Sequence, residues 1–560
     1  MIPIRNSLPF ATLLLLLLLL LATAKARARP NEATGEASLY NEADNVINAD
    51  TNTLRDHLAT VPKGKLVQFI NIFCGDCQRF APTFKGVARD LYKWQRVLSI
   101  YAVDCAQEKN VQICRDFQVL KTPTLRYFPP LYTGNGTGID IPTVKPKEIK
   151  DLLVGYLAKD MNWILLYFDP LRSDSNAKTT IGDHKGPGQA AEYIALVLQP
   201  KGSNIGRDTI FELLPYPAVV VRLVDDAQIF ANFGLTPQGQ KLAILDLAGN
   251  VQALKAAQET SQAYAASIAE YLAQKGHTPV PPLPTTVAPK MRTVRNKEQQ
   301  AILATVLRGG PAKIYRADLE QAIDKLLHIE LPKAGLIQGS NLTALRDIIA
   351  VLRHLNPLNK DGQELLTNLH GFLLPINRLT GSEFADLVKS IEKKLEGNVF
   401  KAKRYVGCIA SRPFLRGFTC SLWTLFHYLT VAAAKPPYYL QAGSVLSAIH
   451  GFAKHFFGCR DCADHFLALA ERKHIDRVTD YDAEILWLWE AHNEVNKRLA
   501  GDTTEDPKFP KIQFPSKKYC PACSNENSQW NRTEVLKYLK SIYDNENLSP
   551  YGLPTTRGYP

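Results

Sequence analysis

The chain has neither a G-x-G-x-x-G run nor a G-x-x-x-x-G-K-[ST] loop, which excludes the two commonest glycine-rich phosphate cradles. Beyond Phe10–Leu21 it also lacks any stretch of ~18 uninterrupted apolar residues, so no membrane anchor is expected. Charge of one sign is nowhere concentrated. The 66 Lys and Arg are interspersed with 54 Asp and Glu, and the net +12 reads as a solubility feature rather than a nucleic-acid footprint. Zinc-ribbon spacing is missing as well: ribbons separate two C-x-x-C pairs by about 12 to 20 residues. Cys462 and Cys520 are much further apart and Cys77 lies far upstream, so a metal site is disfavoured.

At 560 residues the chain exceeds one hydrophobic core and should divide into several units of ordinary globular composition, with 46% apolar and 21% charged residues. Arg5, the apolar Phe10–Leu21 and the small residues Ala22-Thr23-Ala24 predict a signal peptide over 1–24. Export permits disulfides and glycans, and sequons stand at Asn135, Asn341, Asn531 and Asn547, the last weakened by Pro550. The ten cysteines fall into five short-range pairs: Cys74/Cys77, Cys105/Cys114, Cys408/Cys420, Cys459/Cys462 and Cys520/Cys523. Three of these are C-x-x-C, although spacing alone does not fix connectivity.

Residues 38–160 read as α/β, with strands expected at Lys65–Phe73, Val97–Val103 and Leu125–Phe128 and a helix over Cys77–Trp94. Similar patterns recur over 161–277, in Trp163–Phe168, Ala218–Leu223 and Leu242–Leu245, before a helical Val251–Gln274. This second unit contains no cysteine. The prolines of Thr278–Pro289 predict an extended linker, 278–293, that could act as a hinge. Apolar residues at three- and four-residue spacing, such as Leu319, Ile323, Leu326 and Leu327, predict amphipathic helices over 294–400. Helical patterns continue from Lys401 to about Leu499, and the chain from Gly501 onward reads as proline-rich and loop-like around its last C-x-x-C, with the final unit bounded at 401–515 and a tail at 516–560.

Cys74-Gly75-Asp76-Cys77 follows a predicted strand and opens a predicted helix. A thiol among helix N-terminal amides sees positive partial charge, and its pKa falls from about 8.5. Cys74 would be the exposed attacker and Cys77 the resolving thiol, with Thr122-Pro123 placed for a cis-proline beside them. A structural disulfide or zinc half-site is the competing interpretation. The segment resembles a thioredoxin or protein disulfide isomerase domain, with Phe73 where tryptophan is usual and Asp76 where isomerases carry histidine. A carboxylate between the cysteines should disfavour the Cys74 thiolate and make this disulfide a weaker oxidant. Cys105 and Cys114 lack the tight ring and helix opening that tune reactivity and read as a staple.

In the second half, Trp423 and His427 are four apart on one helix face. Cys459-Arg460-Asp461-Cys462 precedes His465, and Trp489, His492, Asn493 and Asn496 share a face of a later helix. Three helices thus present aromatic and amide groups beside one C-x-x-C, a set suited to a flat π-rich cofactor. Taken singly, each stripe would more often be core packing.

This constellation resembles the Erv/ALR flavin-linked sulfhydryl oxidase domain, and the whole order resembles the quiescin sulfhydryl oxidase family. The resemblance implies a multidomain fold: two α/β thioredoxin-like domains, the second redox-inactive, then an all-α helix-rich region and an Erv/ALR-type helical bundle. It implies FAD as cofactor, with Arg416, Trp423, His427, Asp461, His465, Trp489, His492, Asn493, Val495, Asn496 and Lys511 at FAD-binding positions and Phe514 where tryptophan is familiar. Cys462 matches the flavin-proximal thiol and Cys459 the one that exchanges with Cys74/Cys77. Cys408/Cys420 match a structural pair, and Cys520/Cys523 a flanking pair read here as a loop staple. Electrons would run from reduced secretory or extracellular protein thiols through Cys74/Cys77 and Cys459/Cys462 to FAD and molecular oxygen, in a monomeric enzyme of the Golgi and extracellular space. Two rivals remain at this point: an isomerase using only the N-terminal half, and a non-catalytic extracellular protein whose cysteines are all staples. A yellow colour separates the first from an oxidase, and resistance of the cysteines to mild reductant identifies the second.

Overall fold

The computed structural model describes residues 38–134, 136–160, 167–184, 191–281, 297–310, 312–395, 399–527 and 529–554. The signal-peptide segment, Asn135 and most of the proline-rich linker lie outside them. Among the described residues, no helix is long and apolar enough to cross a membrane.

The first unit is built on a five-stranded sheet in the order β1-β3-β2-β4-β5. Its elements are β1 Ile47–Asn48, α1 Thr51–Thr60, β2 Gly64–Ile70, α2 Gly75–Asp90, β3 Leu98–Asp104, α3 Val111–Asp116, β4 Thr124–Phe128, β5 Ile139–Asp140 and α4 Pro146–Asp160. The central β2 runs parallel to β3 and antiparallel to β4, and all seven of its residues are buried. A strand covered on both faces reads as a continuous apolar run, as Leu66-Val67-Gln68-Phe69-Ile70 nearly does. Where a single helix was expected over Cys77–Trp94, α2 stops at Asp90 and a 3₁₀ turn carries Leu91–Trp94, burying Leu91 and Trp94.

The second unit repeats the plan. It comprises β6 Tyr167–Pro170, α5 Ala177–His184, β7 Tyr193–Leu198, α6 Ile205–Leu213, β8 Val219–Val224, β9 Leu242–Asp246, β10 Val251–Leu254 and α7 Ser261–Gln274. The order β6-β8-β7-β9-β10, with β6, β8 and β7 parallel and β9 and β10 antiparallel, matches that of the first sheet. At the opening of α6, where the first unit places Cys74, stands Asn204. The expected helix over Val251–Gln274 is corrected here. Asp246 accepts from the amides of Ala248 and Asn250, closing a turn that sends Val251–Leu254 back along β9, and the helix starts only at Ser261 under a Thr260 cap. Short hairpin strands of this kind lack a period long enough to distinguish from a helix.

The remaining elements are α8 Lys297–Gly309, β11 Ile314–Tyr315, α9 Arg316–Lys325, β12 Leu336–Gln338, α10 Ser340–Leu355, α11 Lys360–Leu373, β13 Arg378–Thr380, α12 Gly381–Lys394, α13 Gly417–Ala433, α14 Ser444–His455, α15 Arg460–Arg472, α16 Tyr481–Leu499, α17 Arg532–Ile542 and β14 Leu548–Ser549. The helix-rich region and the C-terminal bundle share one core, running from Leu319 and Ile323 through Leu425 and Leu429 to Leu488 and Leu539. The tail is not merely loop. Asn531 caps α17, whose Val535, Leu539 and Ile542 recur at helical spacing and are buried, and β14 pairs with β11 of the helix-rich region.

Between α9 and β12 the chain makes a π-helical turn, Leu326–Glu330. It holds His328 with Nδ1 2.8 Å from Asp324 and Nε2 3.1 Å from Glu392. Burial opposes the charge of His328, but hydrogen bonds to Asp324 and Glu392 outweigh it and lift the pKa to about 10. This is above the unfolded value of about 6.5, so the stabilisation is complete below that pH and is lost as pH rises through about 10. The thermal midpoint is expected to fall over that interval, and His328→Gln should flatten the fall. Melting curves of both proteins across the range check it.

Candidate active site

The first redox motif sits where β2 delivers the chain to α2. Cys74 is the helix N-cap, and the Cys74 amide donates to Asn71 O at 2.9 Å, fixing the turn. Cys74 is held below the ordinary thiol range by a hydrogen bond from Cys77 and by the Cys77 and Asp76 amides, against burial and the Asp76 carboxylate. Burial and the neighbouring Cys74 push Cys77 well up. The two thiols are therefore differentiated: one thiolate-prone, one retained as a thiol. The Thr122–Pro123 peptide is cis, and Thr122 O lies 3.6 Å from Cys74 Sγ.

The second motif copies this placement. Cys459 is the N-cap of α15 and is bonded to Cys462. The two helix openings face each other, so that Cys74 Sγ lies 2.9 Å from Cys459 Sγ. Hydrogen bonds to backbone carbonyls fix the approach. The Thr122 amide donates to Gly458 O at 2.9 Å, its hydroxyl donates to the same oxygen at 3.1 Å, and Gln78 Nε2 donates to Phe414 O at 2.7 Å. Gly417, at φ +44°, brings α13 against the redox motif: a Cβ there would fall 2.6 Å from the Phe73 ring. Beneath the contact, Glu330 accepts from the Gly458 amide at 2.8 Å and is paired with Lys333 at 2.8 Å, both carrying almost no exposure. Cys74 and Cys459 are both buried.

A cavity of about 590 Å³ lies behind this contact, and Cys462 lines it. Trp423 and His492 stack in its wall at 4.2 Å and 8°. His492 shares a 3.1 Å hydrogen bond with His427. Burial holds both imidazoles neutral, His427 down to about 3. Arg416 and Lys511 also line the cavity. Burial pulls Arg416 down to about 10 against the attraction of Asp506 and Asp318, and lowers Lys511, on which Arg416 acts as a second cause. Arg416 Nε is buried without a partner. Flat aromatic walls together with two cations, Arg416 acting on Lys511 and Lys511 on His492, fit a planar ring system carrying phosphates.

Family models match along the chain in three places: Thioredoxin over residues 45–136, Flavin adenine dinucleotide (FAD)-dependent sulfhydryl oxidase over 311–411, and Erv1 / Alr family over 420–515. Human "Sulfhydryl oxidase 1" is 34% identical over 529 residues, covering 92% of this chain and 68% of the relative. The chain belongs to the sulfhydryl oxidase family. Mouse "Sulfhydryl oxidase 2" is 32% identical over 543 residues, covering 93% of this chain and 75% of that protein. The solved "Sulfhydryl Oxidase Fragment of Human QSOX1" is 39% identical, with a TM-score of 0.40, covering 42% of this chain and 98% of that one. The activity is therefore FAD-dependent joining of thiols into disulfides, with oxygen reduced to hydrogen peroxide.

Within this sulfhydryl oxidase, nine of the twelve residues expected at the cofactor line the cavity: Arg416, Trp423, Asp461, His465, His492, Val495, Asn496, Lys511 and Phe514. The other three stand behind its wall. His427 supports His492, while Trp489 Nε1 and Asn493 Nδ2 donate to Phe514 O at 2.5 and 2.8 Å and so position the 512–514 segment. Phe509, whose ring lies 3.9 Å from the Arg416 guanidinium, and Tyr543 also line the cavity; neither has a sequence signal of its own. Cys105–Cys114, Cys408–Cys420 and Cys520–Cys523 are disulfides, and the last packs in the helical core with Cys523 fully buried.

Proposed function

We propose that the chain oxidises cysteine pairs in proteins of the secretory pathway or extracellular space, in two thiol-disulfide exchanges within the chain. A substrate thiolate attacks the Cys74–Cys77 disulfide, and the second substrate thiol releases the product. Cys74 then attacks Cys459. The Cys459–Cys462 bond breaks, Cys462 leaves as thiolate, and Cys77 resolves the mixed disulfide, so that two electrons now rest on Cys459/Cys462. The 2.9 Å approach of Cys74 Sγ to Cys459 Sγ, with Cys74 held thiolate-prone and Cys459 already in a disulfide, is the observation that carries this order.

Bound FAD supplies the two-electron acceptor that hands electrons on to oxygen. The chain's own part is to hold it: Arg416 and Lys511 toward the phosphates, Trp423 and the neutral His492 against the rings, and Cys462 at the cavity edge. Substrate reaches Cys74 only when the two motifs part, because the contact leaves Cys74 no exposure. Export is supported by the 1–24 segment and by Asn531, which is exposed and caps α17 through Oδ1, leaving Nδ2 for a glycan. Asn547 is the weaker glycan candidate of the two: its Nδ2 already donates to Ile542 O at 2.8 Å and Ala312 O at 3.3 Å.

The order is tested in full-length Cys77→Ser/Cys462→Ser protein treated with one equivalent of an aromatic disulfide reagent. The first thiol to react is capped as a mixed disulfide, and the second should displace the cap. A peptide linking Cys74 to Cys459 is the expected product; capped protein that never links excludes the order.

A further inference from the structure

Both redox motifs carry an aspartate between their cysteines, Asp76 in one and Asp461 in the other. Docking the motifs sulfur to sulfur brings these two carboxylates together, and a single side chain stands between them. Arg79 Nη2 lies 2.7 Å from Asp76 and 2.9 Å from Asp461, and its Nη1 lies 3.4 Å from Asp502 on the loop after α16. Two carboxylates therefore share one nitrogen of one guanidinium. Asp461 has further partners on its own side, His465 at 3.1 Å and Arg498 at 3.5 Å, whereas Arg79 is the cation paired with Asp76. A second ion pair spans the contact, Lys121 to Asp464 at 2.9 Å, but its carboxylate is exposed and it touches neither central aspartate.

We infer that Arg79 is the positioning residue of transfer between the two cysteine pairs: it cancels the repulsion between Asp76 and Asp461 and so lets the motifs meet. This rests on the exchange order proposed above. Like charges set directly opposite each other raise the energy of an encounter, and a planar guanidinium answers two carboxylates at once where an ammonium offers a point charge. The exchange moves negative charge from Cys74 to Cys462, from beside one aspartate to beside the other. A cation shared by both aspartates stabilises the starting and the finishing thiolate alike. Among the described residues Arg79 pairs with Asp76, Asp461 and Asp502, so it acts on the exchange through the carboxylates.

The rate of cap release in the Cys77→Ser/Cys462→Ser protein reads the approach of the two motifs directly. Arg79→Gln is expected to slow it about tenfold, as loss of a partly buried charge partner does, with Arg79→Lys falling between the two. The decisive comparison repeats Arg79→Gln in an Asp76→Asn background. With one carboxylate neutralised the repulsion is gone, and the cost of losing Arg79 should shrink to about threefold or less. An equal cost in both backgrounds, or no slowing by Arg79→Gln, overturns the assignment. Absence of linkage in the parent itself defeats the exchange order, and the role of Arg79 with it.

Discussion

Cys74→Ser is expected to lower oxygen consumption with a reduced protein substrate by on the order of a thousandfold or more, because a serine hydroxyl is neither a thiolate nor able to join a disulfide. The yellow colour of the purified protein should persist, since Cys74 lies across the docking contact from Cys462, which lines the cofactor cavity. Removing a different pair gives the contrast. Cys105→Ser/Cys114→Ser deletes a disulfide closing nine residues of sequence on the far side of the sheet and should cost about 2 to 3 kcal/mol of stability. Its activity below the melting transition should stay near that of the parent. Oxygen-electrode rates and melting curves on the two variants separate relay from staple.

Lys511→Met is expected to weaken FAD binding by about 10- to 100-fold, the worth of one charge-assisted contact to phosphate. The cofactor-free protein should behave oppositely. Burial and the nearby Arg416 already disfavour the Lys511 charge, so an isosteric apolar chain leaves the apo form as stable as the parent or more so. Titration of apo protein with FAD, followed by absorbance, and thermal midpoints with and without FAD check both halves. A variant that loses apo stability while keeping its FAD affinity would show that Lys511 is structural.

What could be read from the sequence was local. Cys74 and Cys459 each sit one residue before a helix, and the four-residue spacing of Trp423 and His427 is visible without any tertiary knowledge. The family order rested on those same short signals. Juxtapositions of residues far apart in the chain were illegible. Nothing in the sequence tells that Arg79 meets Asp461, or that Glu330 reaches the Gly458 amide through a π-helical turn. Helical spacing also placed Trp489 and Asn493 on one face with His492 without revealing that their donors are taken by Phe514 O. Periodicity gives direction from a helix axis, but distance to a cavity depends on what packs in between. The Val251–Leu254 strand and the α17 helix were missed for a related reason: each is short, and its turn or cap chemistry outweighs its composition.

The seal over Cys74 sets a ceiling on speed. On the proposed exchange order, a molecule whose two motifs are joined is blind to clients, and one whose motifs are apart cannot unload. Throughput must therefore peak at an intermediate grip between the two halves, and strengthening that grip past the peak would yield a tighter, slower enzyme.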